Sequence, residues 1–294
     1  KINKLIENFK PDHIYSQLIR TSEYVKKKFD IPKTIDYMDS FSKGMDRRAK
    51  SASFLSRPIF MSEAKRLVRY ENLIFDYFDK QTIISEQDRD FIWHQNRKKI
   101  DIIRNGLDSV YFHPKSEKKE YEILFTGNMS YIPNIDSAVF LAEDILPLVK
   151  KTIPEARLLI AGANPVKKIK KLASDDIIVS GWMEDIRDAY WKSKVFVAPL
   201  RLGSGLQNKL LEAMACEIPC VTTTLANNAL DAKNKTSILL AENADEFANT
   251  IIQLLQNPEL AEKIAKKGRQ HVIANFNWSS TTNELENLML TANS

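Results

Sequence analysis

VFVAPLRLGSGLQNKLLEAMACEIPCVTTT, residues 195–224, decides how this chain folds. The apolar, β-branched run 195–198 reads as a buried strand, and Pro199 ends it. A loop with Gly203, Ser204 and Gly205 follows. Leu206, Leu210, Ala213 and Met214 then recur at helical spacing, and Pro219 breaks the pattern before a second apolar run from Cys220. The order is strand, glycine loop, helix, strand. Such a loop delivers a helix N-terminus to the end of a parallel strand, so backbone N–H groups converge on one spot that suits a phosphate. Lys209 and Glu212 lie three residues apart, on one flank of that helix. One element thus offers backbone donors and a cation for a diphosphate, and a carboxylate for sugar hydroxyls. Glycine loops of this kind also occur as plain structure in proteins that bind nothing there. A simple dinucleotide fingerprint is excluded, because the third glycine it needs would stand at Asn208. A P-loop is excluded because the chain contains no GxxxxGK[ST] string.

The same rhythm runs outward on both sides. Strands are expected at 122–126, 157–161, 176–180, 195–199 and 237–240. Helices are expected at 135–150, 165–172, 186–191, 243–256, 258–275 and 279–290. Gly106, Gly127, Gly162, Gly181, Gly203 and Gly205 lie at or just after strand-like runs, where open parallel sheets bind ligands. Upstream, 13–19, 34–38, 81–85 and 100–103 read as strands, with helices at 21–29, 59–79 and 86–95. Asn105-Gly106 is a turn signal, and the charged stretch HPKSEKKEY, 113–121, reads as a linker. Alternating strands and helices predict α/β architecture with doubly wound parallel sheets. The expected domains are 1–112, the linker 113–121, a second domain 122–277 and a final helix in 278–294. The first has few strands for a doubly wound domain, so it is expected to be incomplete in this chain.

A chain of 294 residues with 44% hydrophobic content suits two globular domains. No stretch approaches the roughly 20 apolar residues of a membrane helix, and the polar opening KINKLIENFKPDHIYSQ does not read as a signal peptide. Cys216 and Cys220 have no His near them and read as buried thiols, which fits a cytosolic location. Residues 1–112 carry 22 Lys and Arg against 16 Asp and Glu, whereas 113–294 carry 21 against 22. The basic first half suits an anionic membrane surface or an anionic substrate, or is simply solvated. Nucleic acid is not supported, because no aromatic residues interleave with the basic ones. Asp88 and Asp90 form a DxD string, but positions i and i+2 of a helix do not share a face. His13, His94, His113 and His271 show no ligand spacing, so no metal site is expected.

LFTGNMSYIPNIDS (124–137), LLIAGANP (158–165), VSGWMEDI (179–186), the opening stretch and NFNW (275–278) resemble the C-terminal half of a family 4 glycosyltransferase of the GT-B fold. DYMDSFS (36–42), SEAKRLVRYE (62–71) and IIRNGLD (102–108) resemble the branch of that family tied to bacterial polysaccharide assembly. The resemblance implies two Rossmann-like domains facing a cleft, with the last helix crossing back to the first. It implies a nucleotide-diphosphate sugar as donor, a polysaccharide or lipid-linked sugar as acceptor, retention at the anomeric carbon, and neither cofactor nor metal. Glu212 matches the second Glu of the family's E-x7-E motif, and the first is replaced by Ser204. Asn128 and Asn134 stand in the loop where many relatives carry cations, which leaves Lys209 and Arg201 to neutralise phosphate. Met38-Asp39 replaces a common His-Asp pair. Either Asp39 meets the substrate, or Asp36 and Asp39 cap the next helix. Trp182 either edges the nucleotide base or packs in the core.

The candidate catalytic set is therefore Lys209, Glu212 and Asp39. The candidate donor-binding set adds Gly127, Asn128, Gly162, Trp182, Arg201, Gly203, Ser204, Gly205 and Leu206. Two rival readings remain. One is another GT-B enzyme, such as a sugar-nucleotide epimerase, for which extra acid and base residues are missing. The other is a degenerate nucleotide-binding module without turnover, which the missing Glu and His favour.

Overall fold

The computed structural model describes residues 1–202 and 205–291. They form two units. The first takes in residues 1–106, 205–206 and 278–291, and the second takes in 107–202 and 207–277.

The first unit holds a parallel sheet of β1 (Ile14–Gln17), β2 (Lys33–Asp36), β3 (Lys80–Ile83) and β4 (Asp101–Ile102), in the order β1-β2-β3-β4. Ile35, Tyr37, Ile74, Ile83 and Ile92 are fully buried around it. A hairpin of two helices, Phe41–Ser51 and Arg57–Phe75, connects β2 to β3. The first of these helices and the short N-terminal helix Ile2–Phe9 have no counterpart in the sequence expectations. The helix expected at 21–29 is absent. A single 3-10 turn, Ser22–Tyr24, stands there. Thr21 Oγ1 donates to the carbonyls of Gln17 and Leu18, and Ser22 Oγ donates to that of Ile19. These local bonds offer the backbone an alternative to helix propagation. The helix Trp278–Leu290 groups with this unit.

The second unit holds six parallel strands: β5 (Tyr121–Thr126), β6 (Leu158–Ala161), β7 (Ile177–Gly181), β8 (Ser193–Ala198), β9 (Cys220–Thr222) and β10 (Leu239–Leu240). Their order, β10-β9-β8-β5-β6-β7, is that of a Rossmann sheet. Ile123, Leu124 and Phe125 are consecutive and wholly buried, as are Val197 and Ala198. Burial of successive strand residues means that both faces of the sheet are covered, as parallel sheets require. Each such large side chain contributes about 1.5–3 kcal/mol.

The helix expected at 135–150 is three pieces: Ile132–Phe140, a π turn at Leu141–Ile145, and Leu146–Lys150. Pro147 has no N–H to give to the turn below, and the wider π turn accommodates that missing bond. The helix expected at 165–172 shortens to Lys167–Lys170, where three lysines in four residues repel one another. Residues 113–120 run along the second unit: Trp191 Nε1 donates to the His113 carbonyl at 2.7 Å, and Lys119 Nζ to that of Trp191 at 2.7 Å. Cys216 and Cys220 are buried free thiols.

Candidate functional site: the switch point of the six-stranded sheet

Between β5 and β8 the strand order reverses, and the loops after both strands open at their carboxyl ends. Open α/β sheets bind ligands at this place. After β5 the chain turns sharply at Gly127, whose φ is +156°. A Cβ there would lie 2.6 Å from Asn134 Nδ2. Gly162 closes the turn from below, with φ +132°, and a Cβ there would lie 2.0 Å from the Gly127 carbonyl oxygen. Both positions need a residue without a side chain.

The loop is held by its own polar groups. Asn128 Oδ1 accepts from the N–H of Ser130 at 3.1 Å and from its hydroxyl at 2.8 Å. Asn134 is buried, and its Nδ2 donates to the Asn128 carbonyl at 3.0 Å. Its Oδ1 accepts from Lys209 Nζ. Lys209 stands in the first turn of the helix Asn208–Ala215, and its ammonium lies 5.0 Å from the centre of the Phe125 ring. The aromatic face favours the cation. Burial still lowers the Lys209 ammonium to about 8, opposed by the charge of Glu212. At pH 7 the side chain is mostly charged, and much of the solvation it has lost is available to be regained from an anion.

Glu212 follows on the same flank. Its Oε2 accepts from the Tyr190 hydroxyl at 2.7 Å, and Thr126 Oγ1 lies 2.9 Å from the same hydroxyl. Burial pushes the Glu212 carboxyl above its ordinary range, while the Tyr190 hydrogen bond and the charge of Lys209 pull the other way. Burial pushes Tyr190 far above the usual phenol range, so it remains a donor.

Lys209, Glu212, Gly127, Asn128 and Gly162 thus all lie in the second unit. Arg201 does not stand as a second open cation. Its guanidinium makes a bidentate pair with Asp136 (2.8 and 3.1 Å) and stacks 4.0 Å from the Phe140 ring centre. Trp182 follows β7 and is 72% exposed, so core packing is not its role. Gly205 has φ +79° and Leu206 is half-buried, whereas Gly203 and Ser204 lie outside the described residues. Asn134, Tyr190 and Thr126 were not candidates. In the sequence Asn134 stands out only for lacking charge, and no local pattern marks a tyrosine that will meet Glu212 from 22 residues away.

In the first unit, Asp39 follows β2 on a tight turn. Its N–H donates to the Tyr37 carbonyl at 2.8 Å around Met38, whose φ is +63°. A non-glycine residue in that region stores strain of about 1–3 kcal/mol. Burial, with the charge of Asp88 added, pushes the Asp39 carboxyl up to about 6. Its Oδ1 is buried and without a hydrogen-bond partner among the described residues. Neither aspartate caps the next helix. Ser40 does so, its Oγ accepting from the Lys43 N–H at 3.3 Å. Asp36 accepts instead from the Tyr15 hydroxyl at 2.6 Å and the Met38 N–H at 3.0 Å. Asp88 and Asp90 have different partners, the Ser85 hydroxyl and Lys98, as their helix spacing predicts.

Residues 120–257 match the family model described as "Glycosyl transferases group 1". That stretch takes in the six-stranded sheet from β5 to β10, so the second unit is similar to group 1 glycosyltransferases. A curated relative from Escherichia coli, "UDP-Gal:alpha-D-GlcNAc-diphosphoundecaprenol alpha-1,3-galactosyltransferase", is 24% identical over 212 residues, covering 65% of this chain and 54% of that protein. The chain spans little more than half the length of the curated relatives it matches first. Among solved structures, sucrose-phosphate synthase from Thermosynechococcus elongatus aligns with a TM-score of 0.80 at 18% identity, over all of this chain and 77% of that one. Anabaena Alr3699/HepE in complex with UDP aligns with a TM-score of 0.76 at 11% identity, over 99% and 82%. The fold class is α/β of the GT-B type. No helix among the described residues is long and apolar enough to cross a membrane.

Proposed function

We propose that this chain belongs to a retaining glycosyltransferase that moves a sugar from a nucleoside diphosphate to an acceptor hydroxyl in bacterial surface polysaccharide assembly. The observation that carries the reading is the pairing at the switch point. A half-buried ammonium, Lys209, is fixed beside the Gly127 turn, and a half-buried carboxylate, Glu212, stands one helical turn further on. The diphosphate lies against the turn and Lys209, and Glu212 accepts from ribose hydroxyls.

In the transfer, the bond from the anomeric carbon to the phosphate oxygen breaks. A bond to the acceptor oxygen forms on the same face. The acceptor proton passes to the departing phosphate oxygen. Negative charge develops on the diphosphate, and Lys209 stabilises it without a metal ion. A preorganised charge of this kind contributes several kcal/mol when water is excluded. Asp39 is assigned to the sugar or acceptor side. The printed name of the E. coli relative, with its UDP-Gal donor and diphosphoundecaprenol-linked acceptor, supports a UDP-sugar and a lipid-diphosphate-linked acceptor here. The presence of UDP in the HepE structure supports the same donor class.

Thermal unfolding measured with UDP, GDP, ADP, dTDP and CDP in turn tests the donor class. A ligand that binds only the folded state stabilises it by RT ln(1 + [L]/Kd), about 2.7 kcal/mol at 100 times Kd. One nucleotide, UDP before the others, is expected to raise the transition of the second unit. No stabilisation by any of them, with the chain folded, contradicts the reading. Nucleotide stabilisation without transfer in the full-length protein favours the degenerate module.

A further inference from the structure

The helical hairpin of the first unit ends in a tip that the fold leaves bare. Its inner face is buried through Ala49, Ala64, Ile74 and Phe75. At the turn, Phe54 is 91% exposed and Leu55 is 87% exposed, and Ile59 and Met61 follow on the outer side. Scattered exposed apolar residues are ordinary, but these are contiguous. One shallow depression is lined by Phe54, Arg57, Pro58, Met61 and Lys65. The next shares Met61 and Lys65 and continues to Lys43, Phe91 and Trp93. Trp93 is itself 72% exposed.

The charge around this strip is one-sided. Residues 43–69 contain eight Lys or Arg against two Asp or Glu. Several of the cations lie along aromatic rings, with Arg48 4.6 Å from the Phe60 ring centre and Lys43 5.0 Å from that of Phe91. Their stems cover apolar surface while their heads reach water. Aromatic and aliphatic tips ringed by Lys and Arg match the boundary between acyl chains and anionic headgroups. A second copy of this chain would bring the same positive charge to the face and be repelled. A nucleic acid would use the cations but leave Phe54, Leu55 and Ile59 in water.

We propose that the hairpin tip, Phe54 to Met61 with Trp93, is a docking surface for an anionic phospholipid bilayer. The cations meet the headgroups, and Phe54, Leu55 and Trp93 enter the boundary layer. Nothing in this argument requires the donor reading, so either can fail without the other.

The test is co-sedimentation of the chain with vesicles of phosphatidylcholine alone and with about one third phosphatidylglycerol, across a salt series. Partition is expected to be about tenfold or more stronger on the anionic vesicles and to weaken with salt. The double variant F54S/L55S, altered only at exposed positions, keeps the wild-type melting transition and loses about tenfold in partition. R57E/K65E loses at least as much. Lipids brominated in the acyl chain should quench Trp93, and W93F should remove that part of the quenching. Equal binding to neutral and anionic vesicles, no binding at all, or full binding by F54S/L55S overturns the proposal. Binding to duplex DNA that matches the vesicle affinity and is untouched by F54S/L55S also overturns it.

Discussion

Lys209→Met should lower the rate of sugar transfer by about 100-fold to 1,000-fold, the loss typical of removing one preorganised group that meets developing charge. Methionine keeps the unbranched stem over Phe125 and removes only the ammonium. The cost to folding should be small, since the lost hydrogen bond to Asn134 is offset by no longer burying a charge.

The folded-state value for Lys209 is depressed to about 8 from an ordinary value of 10.5. Between those values the unfolded chain binds the proton and the folded chain does not, so this group makes stability rise with pH across that window. Nucleotide affinity runs the opposite way, falling above pH 8 as the cation is lost. A bound diphosphate favours the charged form, so binding near pH 8.5 should take up protons. The comparison is kcat and nucleotide Kd from pH 6.5 to 9.5 for wild type and variant. Equal activity of the two at pH 7 contradicts the role given to Lys209.

Gly162→Ala should destabilise the second unit by about 3 kcal/mol or more, enough to unfold a marginal domain. The added carbon would stand 2.0 Å from the Gly127 carbonyl oxygen and 2.9 Å from its carbon. Both are backbone atoms of the turn that carries Asn128, so no side chain can swing away. The φ of +132° adds strain of its own. Gly44→Ala is the matched control. It sits inside the helix Phe41–Ser51, and beyond its chain neighbours and its own helix backbone nothing among the described residues lies within 4 Å of its would-be Cβ. That exchange should stabilise the first unit by about 0.5–1 kcal/mol. Urea unfolding followed by tryptophan fluorescence checks both. A loss under about 1 kcal/mol for Gly162→Ala would mean that the turn is not as tight as described.

Much of the second unit was legible because buried parallel strands write themselves as continuous apolar runs. LLIA ends at Gly162, and VFVA ends at Pro199. Lys209 and Glu212 were legible from helical spacing alone. What could not be read was how each is held. Asn134 reaches Lys209 across 75 residues and Tyr190 reaches Glu212 across 22, and no local periodicity encodes such meetings. Arg201 was legible as a cation, but its commitment to Asp136, 65 residues away, was not.

The first unit was harder. FSKGMDRRAKS is mostly polar, carries Gly44 in its first half and has only the narrow apolar stripe Phe41, Met45 and Ala49, yet it forms a helix because Ser40 caps it and its partner helix packs on it. Thr21 and Ser22 are compatible with a helix and instead bond backward, Thr21 to Gln17 at the end of β1 and Ser22 to Ile19 just beyond it. In both places a hydroxyl decided the backbone, in opposite directions.

In the proposed reaction a nucleoside diphosphate sits at the carboxyl edge of β5 and β8. Amide chemical-shift mapping on the 15N-labelled chain, titrated with the nucleotide that stabilises it, tests this most directly. The largest shifts are expected at Gly127, Asn128, Lys209 and Glu212, all absent in Lys209→Met at the same nucleotide concentration. Shifts centred instead on the four-stranded sheet, or unchanged in that variant, would contradict the account.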